Sequence, residues 1–169
     1  MHAVAYVSSA SQQLTTPDAM DRLLTGARSF NQACGVTGVL LHQGGNFFQY
    51  LEGPEEGVAQ VYARVKRATS HHGLIELVNG PVEQRHFAAW TMGFAEATRS
   101  ELQRIAHASW ANDLGRISSA ANAANPGLVL LLDFWSVFCQ SWISVPTMQA
   151  ACSTSSAMRP GPPSLDASP

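Results

Sequence analysis

Residues 36–56 read VTGVLLHQGGNFFQYLEGPEE, and they contain two strand-like runs with a turn between them. Residues 36–42 and 46–52 are rich in β-branched, aliphatic and aromatic side chains, which favour β-strands. Gly44 and Gly45 lie between the two runs, and glycine readily adopts the positive φ that a tight hairpin turn needs. This stretch therefore predicts a β-hairpin.

The chain on either side of the hairpin carries further helix and strand signals. A helix is predicted from residues 53–56 (GPEE) to residues 71–73, because proline suits the first helical turn and acidic side chains suit the positive end of the helix dipole. By the same reasoning, Pro17 and Asp18 begin another helix, which extends to about residue 31. Further strands are predicted over residues 4–8, 74–78 and 87–94.

The predicted element order over residues 1–95 is β-α-β-β-α-β-β. This is a ferredoxin-like order with one strand added at the end. Two right-handed crossovers would place both helices on one face of a mixed five-stranded sheet. The predicted fold class is therefore α+β, and the other face of the sheet needs a cover.

Apolar helices after residue 95 can supply that cover. Thr98 and Glu101 have the spacing of a helix-capping box. Residues 128–145 approach the length of a membrane span, but Asp133 lies among them, so we expect a buried helix instead. The expected parts are a first domain over residues 1–95, a helical cap over residues 96–145 and a mobile tail over residues 146–169, which is rich in Pro, Ser and Ala.

The composition argues against several classes of protein. Of the 169 residues, 46% are hydrophobic and 13% are charged, and 10 Lys and Arg against 12 Asp and Glu give a net charge of −2. That balance lacks the basic surface of a nucleic-acid binder and suits a protein that self-associates. The N-terminus does not resemble a signal peptide, and the three widely spaced cysteines form neither a metal motif nor a disulfide framework. We therefore expect a cytoplasmic protein without a metal site.

Three polar residues stand where the pattern favours apolar ones. Gln49 lies between Phe47 and Leu51 on one face of its strand. A buried amide without a partner costs about 1–3 kcal/mol, so Gln49 should have a hydrogen-bonding partner. Asn31 could simply end the first helix, and Tyr6 could be a core residue with its hydroxyl at the edge. Together, around the crevice between two helices and a sheet, the three indicate a binding site. The sequence carries none of the common catalytic motifs, such as a Walker loop, G-x-S-x-G, H-E-x-x-H or G-x-G-x-x-G.

Five short segments occur in an order that is typical of one family. They are Tyr6-x-Ser8, Phe30-Asn31, residues 35–40 (GVTGVL), residues 47–53 (FFQYLEG) and Phe87-x-x-Trp90-x-Met92. As an ordered set they resemble a BLUF domain, a sensor of blue light using FAD, of the short single-domain type. The resemblance covers residues 1–95 and extends loosely into the C-terminal helices.

The resemblance implies a flavin site between the two predicted helices. Asn31 corresponds to the asparagine that hydrogen-bonds the C4 carbonyl and N3 of the flavin ring, and Gln49 to the glutamine that bridges a tyrosine and the ring. The implied flavin-binding residues are Tyr6, Leu23, which packs on the ring, Asn31, Gln49, Arg64 near the polar edge, and His71 and His72 at the end of the second helix. FAD is the implied cofactor, although these residues do not distinguish it from FMN or riboflavin.

The resemblance also implies the response to light. Tyr6 would give an electron and then a proton to the excited flavin, and the Gln49 amide, which has both donors and an acceptor, would rotate or tautomerise. The flavin would return to its oxidised state with its absorption shifted to longer wavelength. Trp90 and Met92 are implied to share a face of the last strand and to pass the signal to the C-terminal helices. The implied photoactive residues are thus Tyr6, Gln49, Trp90 and Met92.

The same resemblance implies how the signal leaves the domain. Residues 96–169 are too few for an enzymatic output domain, so the chain is expected not to be an enzyme. Its implied partner is a separate downstream protein of the phosphodiesterase or transcriptional-regulator class, a second copy of the chain, or both. Ala68 and Ser70 stand where the family often has Asp and Arg, so flavin contacts are expected to differ there.

Other functions stay open on the sequence alone. A flavin-binding redox enzyme would share the cofactor but would turn over NAD(P)H continuously. A small ferredoxin-like hydrolase would need a phosphate cradle after the first strand, and residues 8–11 (SSAS) lack the glycines for one. An RNA-binding module would need a basic surface. A structural protein without a ligand would be colourless after purification.

Overall fold

The computed structural model describes residues 1–11, 16–110 and 125–143. The predicted tail over residues 146–169 lies outside these residues. In chain order the elements are β1 (His2–Ala10), α1 (Pro17–Ala33), β2 (Thr37–Gln43), β3 (Asn46–Gly53), α2 (Glu55–Arg67), β4 (His71–Pro81), β5 (Gly93–Glu96), α3 (Arg99–Ala106) and α4 (Pro126–Ile143).

The strands form one mixed sheet in the order β4-β1-β3-β2-β5. All neighbouring strands are antiparallel except β2 and β5, which are parallel. This arrangement confirms the predicted α+β fold with a five-stranded sheet. At the centre of the sheet Tyr6 on β1 is the register partner of Gln49 on β3, which faces Leu40 on β2 from its other side. The register therefore makes Tyr6 and Gln49 cross-strand neighbours on one face.

The alternation of side chains along the strands builds a core on each face of the sheet. Helices α1 and α2 cover one core, whose buried residues include Val4, Leu24, Leu40, Leu51, Val58 and Val61. Helices α3 and α4 cover the other, whose buried residues include Leu41, Phe48, Phe87, Ile105, Leu131 and Trp135. The C-terminal helices thus lie on the second face, as the sequence predicts. No helix in the described part of the chain combines the length and apolar character needed to cross a membrane.

Local sequence signals account for the turns and helix starts. The hairpin turn lies at Gly44 and Gly45, whose φ angles are 52° and 82°. The predicted capping box also forms at the start of α3. There the Glu101 amide donates to Thr98 Oγ1 over 3.3 Å, and the Thr98 amide donates to Glu101 Oε2 over 2.7 Å. The hydrogen bonds from the Thr98 side chain and backbone lower the pKa of Glu101.

The prediction that the second helix ends near residues 71–73 is wrong. Helix α2 ends at Arg67, and Ala68 already has extended backbone angles. His71 and His72 begin β4, because residues 71–81 pair with β1 over long range. Gly73, within the expected helix end, has a φ of +64° and lies where the β1–β4 register shifts.

The predicted strand over residues 87–94 is also wrong in most of its length. Strand β5 is only Gly93–Glu96. Before it, the Trp90 amide donates to the Phe87 carbonyl over 2.9 Å, which makes a turn. Because residues 87–92 are not a strand, Trp90 and Met92 do not share a face: Trp90 packs on the core under α4, and Met92 is buried in the core under α1 and α2.

Candidate functional site

A cavity of about 290 Å³ lies between α1, α2 and the sheet. It is lined by Tyr6, Ser8, Arg22, Leu23, Gly26, Ala27, Phe30, Asn31, Leu40, Phe47, Gln49, Val61, Arg64, Val65, Ala68, Ser70, His71 and Met92. The lining is mostly apolar with a few converging polar groups, which is typical of a cofactor site, and the volume is close to the lower end of the usual range of about 300–1,000 Å³. Within the described ranges, no group of three or more His, Cys, Asp or Glu side chains could hold a metal ion.

Three buried side chains form a chain of contacts in the cavity wall. The Tyr6 hydroxyl donates a hydrogen bond to Gln49 Oε1. The Gln49 amide nitrogen Nε2 donates to the sulfur of Met92 over 3.2 Å. The structure thus gives Gln49 the partners that its buried position requires, with its oxygen toward the phenol and its nitrogen toward the thioether.

Burial fixes the protonation of the Tyr6 phenol. Loss of solvent raises the pKa of Tyr6 far above its usual value of 10, and the nearby Tyr62 raises it further. The two tyrosine rings lie 5.8 Å apart between centroids. Tyr6 therefore keeps its proton at neutral pH and acts toward Gln49 as a donor.

Helix α1 holds the backbone that precedes β5. Asn31 is buried, and its Nδ2 donates to the Thr91 carbonyl over 2.7 Å. Arg28 Nε donates to the Met92 carbonyl over 3.1 Å. These bonds hold Thr91 and Met92 against α1.

Two further predicted residues stand at the edge of the cavity. Leu23 is half-buried on α1 and contributes to the apolar wall. The guanidinium carbon of Arg64 on α2 lies 4.4 Å from the centre of the Phe30 ring, an arrangement that holds the cation over an aromatic face.

His71 also lines the cavity, although it belongs to β4 and not to α2. Its ring stacks on Tyr6 with 6.2 Å between centroids. Partial burial lowers the pKa of His71 and the neighbouring His72 lowers it further, while the nearby Val65 backbone works in the opposite direction. Burial therefore favours the neutral imidazole.

Two of the predicted residues lie outside the cavity. His72 on β4 is exposed, and it is the register partner of Ser9 on β1. The Trp90 ring packs on the opposite side of the sheet, edge-on to Trp135 of α4 with 5.4 Å between centroids. Of the pair Trp90 and Met92, only Met92 contacts Gln49.

Sequence reasoning missed other residues that bear on this site. Ser8 belongs to the Tyr6-x-Ser8 segment but is not among the expected flavin contacts, although its period-two spacing places it on the same strand face as Tyr6. Arg28 gave no signal, because its partner Met92 is 64 positions away. Glu52 is fully buried, and its carboxylate accepts from the His86 and Phe87 amides at the start of the segment that leads to Met92. Glu52 is a single charged residue in an apolar strand, and this pattern could have indicated that it has a buried partner.

Two unsatisfied polar atoms test whether a flavin suits the cavity. Ser8 Oγ and His71 Nδ1 are buried and have no hydrogen-bond partner among the described residues, and both residues line the cavity. Such atoms require a partner, and a flavin offers carbonyl and ring-nitrogen acceptors as well as donors along an otherwise apolar ring. Together with Asn31 and Gln49, these residues fit a flavin.

Comparison with known proteins gives the family. Residues 1–93 match the family model described as BLUF, sensors of blue-light using FAD. The chain belongs to the BLUF family. Residues 1–93 are therefore an FAD-using blue-light sensor domain, as the resemblance implied.

The relatives carry this domain in longer proteins. The chain is 35% identical over 68 residues to the blue light- and temperature-regulated antirepressor BluF of Escherichia coli strain K12, covering 40% of this chain and 17% of the relative. It is 32% identical over 95 residues to the photoactivated adenylate cyclase subunit beta-like protein FB of Euglena gracilis, covering 56% of this chain and 11% of the relative. The chain thus spans less than a fifth of the length of either relative.

The solved structures support the fold. The dark-state structure of BlrB, a BLUF protein, superposes with a TM-score of 0.58 at 23% identity and covers 81% of this chain and 96% of that one.

Proposed function

We propose that this BLUF protein signals by rearranging the contacts among Tyr6, Gln49 and Met92, that it performs no catalytic turnover of its own, and that it acts in the cytoplasm. The observation that carries the proposal is the position of Gln49, whose two amide ends are engaged by different partners in the cavity wall. An amide held in this way has two orientations with opposite hydrogen-bonding patterns.

The bound flavin supplies the absorption of blue light and an oxidising excited state. Tyr6 carries a proton on Oη that points to Gln49 Oε1. Rotation of the Gln49 amide by half a turn, or its tautomerisation, would change the group that faces this hydroxyl from an acceptor to a donor. The rotated amide would direct its oxygen at the sulfur of Met92, and the N–H···S contact would be lost.

Met92 connects this change to the other face of the sheet. Its backbone is held by Arg28, and two residues before it the Trp90 ring packs edge-on against Trp135 of α4. A displacement of the Met92 side chain would therefore pull on a short segment whose other end contacts the C-terminal helices. We propose that this segment transmits the signal and that the docking of α4 changes with light.

We further propose that a second protein or a second copy of this chain receives the signal. The names of the relatives, an antirepressor and photoactivated cyclase subunits, associate the domain with different outputs. A transcriptional regulator or a phosphodiesterase is the proposed class of downstream protein. We also propose that Tyr6, Leu23, Asn31, Gln49, Arg64 and His71 contact the flavin, and that FMN or riboflavin would occupy the same ring site.

The proposal is tested by absorption spectra of the purified, FAD-loaded protein in darkness and under blue light. We expect a flavin spectrum that moves to longer wavelength and recovers in darkness. In Gln49→Leu the flavin should stay bound while the shift is lost, and Tyr6→Phe should suppress the same shift. Gln32→Leu, an exposed change on α1, is the matched control and should behave as the wild type.

Two results would contradict the proposal. A normal light-induced shift in Gln49→Leu would remove Gln49 from the mechanism. Lasting reduction of the flavin together with continuous consumption of NAD(P)H would identify a redox enzyme instead.

A further inference from the structure

A groove of about 390 Å³ runs between α3 and α4 and reaches the end of β5 at Glu96. Ile105, Leu130 and Phe134 contribute apolar surface to it. Val137 lies on its rim and is 66% exposed. We call this surface the α3–α4 groove.

The apolar character of α4 is greater than its packing on the sheet requires. Leu131 and Trp135 bury the sheet-facing side of the helix, yet Phe134 is only half-buried and Val137 is mostly exposed on a different side. Exposed apolar surface with a polar rim is typical of a binding site for another protein. A helix that is apolar on more than one side has apolar surface beyond its own core that a partner can bury.

The charges around the groove are mostly negative. Among the described residues, Glu96, Glu101 and Asp133 line it, against one cation, Arg104. Asp133 is the only charged residue in the sequence of α4, and it is exposed at this rim. The groove therefore combines an apolar floor with an acidic edge.

We propose that the α3–α4 groove binds a basic amphipathic helix of a partner protein. A helix laid in a groove presents apolar side chains at three- and four-residue spacing, and flanking Lys or Arg residues would meet the acidic edge. The part of α4 from Leu130 to Ser141 that lines the groove is about 16 Å long at 1.5 Å per residue, which matches about three turns of such a helix.

The position of Glu96 joins this surface to the cavity. Glu96 is the last residue of β5, and its carboxylate lies 2.9 Å from His42 Nδ1. The His42 ring is 5.0 Å from the ring of Phe47, which lines the cavity on the other side of β2 and β3. The inference therefore deepens the proposed output, and it rests on the proposed function only for its dependence on light.

Two other occupants fit the groove less well. A second copy of the chain would bring an acidic edge against an acidic edge if the two grooves met face to face, and like charges across an interface are unfavourable. Residues 144–169 of this chain contain one arginine and one aspartate, so they offer no basic row to the groove.

The test measures binding of a fluorescent synthetic helix of leucine and lysine, about 14 residues long, to the full FAD-loaded chain by anisotropy in darkness. Val137→Asp should weaken binding tenfold or more, because it puts a charge in the apolar contact. The matched control Val129→Asp changes a valine that is 39% exposed on the same helix but does not line the groove, and it should change binding less than twofold.

The acidic edge is tested separately. Asp133→Asn keeps the shape of the side chain and should weaken binding about two- to fivefold at low salt, with a smaller effect at high salt. A leucine–glutamate helix should not bind. The proposal would be overturned if Val137→Asp bound the helix as well as wild type, if both valine variants lost binding equally, or if the acidic helix bound equally well. A dimer that depends on Val137, seen by sedimentation, would also overturn it.

Repeating the titration under blue light separates this inference from the proposed function. The absorption spectrum of each sample reports the photocycle independently of the helix. Groove binding without a spectral shift would reject the proposed photochemistry and keep the groove. A normal spectral shift without binding in either light state would reject the groove and keep the photochemistry.

Discussion

Replacement of Glu52 should reveal how firmly the segment before β5 is attached to the sheet. Glu52 is fully buried at the end of β3, where the pattern of the strand would place an apolar residue. Its Oε1 and Oε2 lie 2.8 and 3.0 Å from the His86 amide, and Oε1 lies 2.5 Å from the Phe87 amide. Two backbone donors that are 34 and 35 residues distant therefore depend on one side chain.

The size of the effect follows from these bonds. A hydrogen bond to a charged group contributes about 1.5–3 kcal/mol. Glu52→Ala removes the acceptor of two amides, and the Phe87 amide is left buried without a partner, so we expect a loss of about 3–6 kcal/mol in the free energy of unfolding. Glu52→Gln keeps one acceptor oxygen and should lose about half as much. Against a typical total of about 5–15 kcal/mol, the alanine change would remove a large part of the stability.

Denaturant unfolding followed by circular dichroism measures this loss. The midpoint should fall in the order wild type, Glu52→Gln, Glu52→Ala, with little change in the slope. Glu83, an exposed carboxylate three residues before His86, provides the control: the free energy of unfolding of Glu83→Ala should stay within about 0.5 kcal/mol of wild type. Amide hydrogen exchange at Phe87 should accelerate in both Glu52 variants. An alanine variant within about 1 kcal/mol of wild type, with unchanged exchange at Phe87, would refute this account of Glu52.

Three further changes test the cavity, the cap and the pH dependence. Gly26 lies in α1 and lines the cavity, and an added Cβ would meet no atom within 4 Å, so Gly26→Ala should stabilise the flavin-free protein by about 0.5–1 kcal/mol and weaken FAD binding in a titration. An added Cβ at Gly93 would lie 2.5 Å from the Trp135 ring, so Gly93→Ala should cost about 1–3 kcal/mol and alter the near-ultraviolet circular dichroism of the cap. Because the pKa of His71 is lowered in the folded protein, the unfolded chain takes up this proton at a higher pH than the folded chain does. The free energy of unfolding should therefore fall as the pH drops below the ordinary value of 6.5. In unfolding experiments between about pH 5 and pH 7, His71→Gln should show a smaller fall than wild type.

The sequence was sufficient for features that local rules govern. Gly44 and Gly45 marked the hairpin, and the Thr98–Glu101 spacing marked the start of α3, because each signal acts within four residues. Tyr6 and Gln49 stood out as polar residues in apolar strands, and the structure brings them into direct contact. These positions were predictable because the cost of burying a polar group is visible without knowing the fold.

The errors occurred where distant partners set the backbone. Helix α2 stops at Arg67 because the chain then turns to pair β4 with β1, a pairing that helical periodicity cannot show. Residues 87–92 have the composition of a strand, but Glu52 and Asn31 hold their backbone through side chains. Hydrogen bonds from distant side chains to backbone do not produce a periodic pattern in the sequence, so they could not be predicted from it.

The irregular backbone of residues 87–92 is what gives the proposed signal a route across the sheet. In a regular strand, residues two apart point to the same face, so Trp90 and Met92 would both face either the cavity or the cap. The turn at Phe87 and Trp90 breaks that alternation, and the two side chains reach opposite cores. In the proposed signal, a change at Gln49 would reach Met92 and then Trp90, which contacts α4. The backbone hydrogen bonds that join β1, β3 and β2 need not break for this to happen. A sheet rigid enough to fix Tyr6 against Gln49 would otherwise separate the cavity from the cap, and this short segment is the place where the two sides share one piece of backbone.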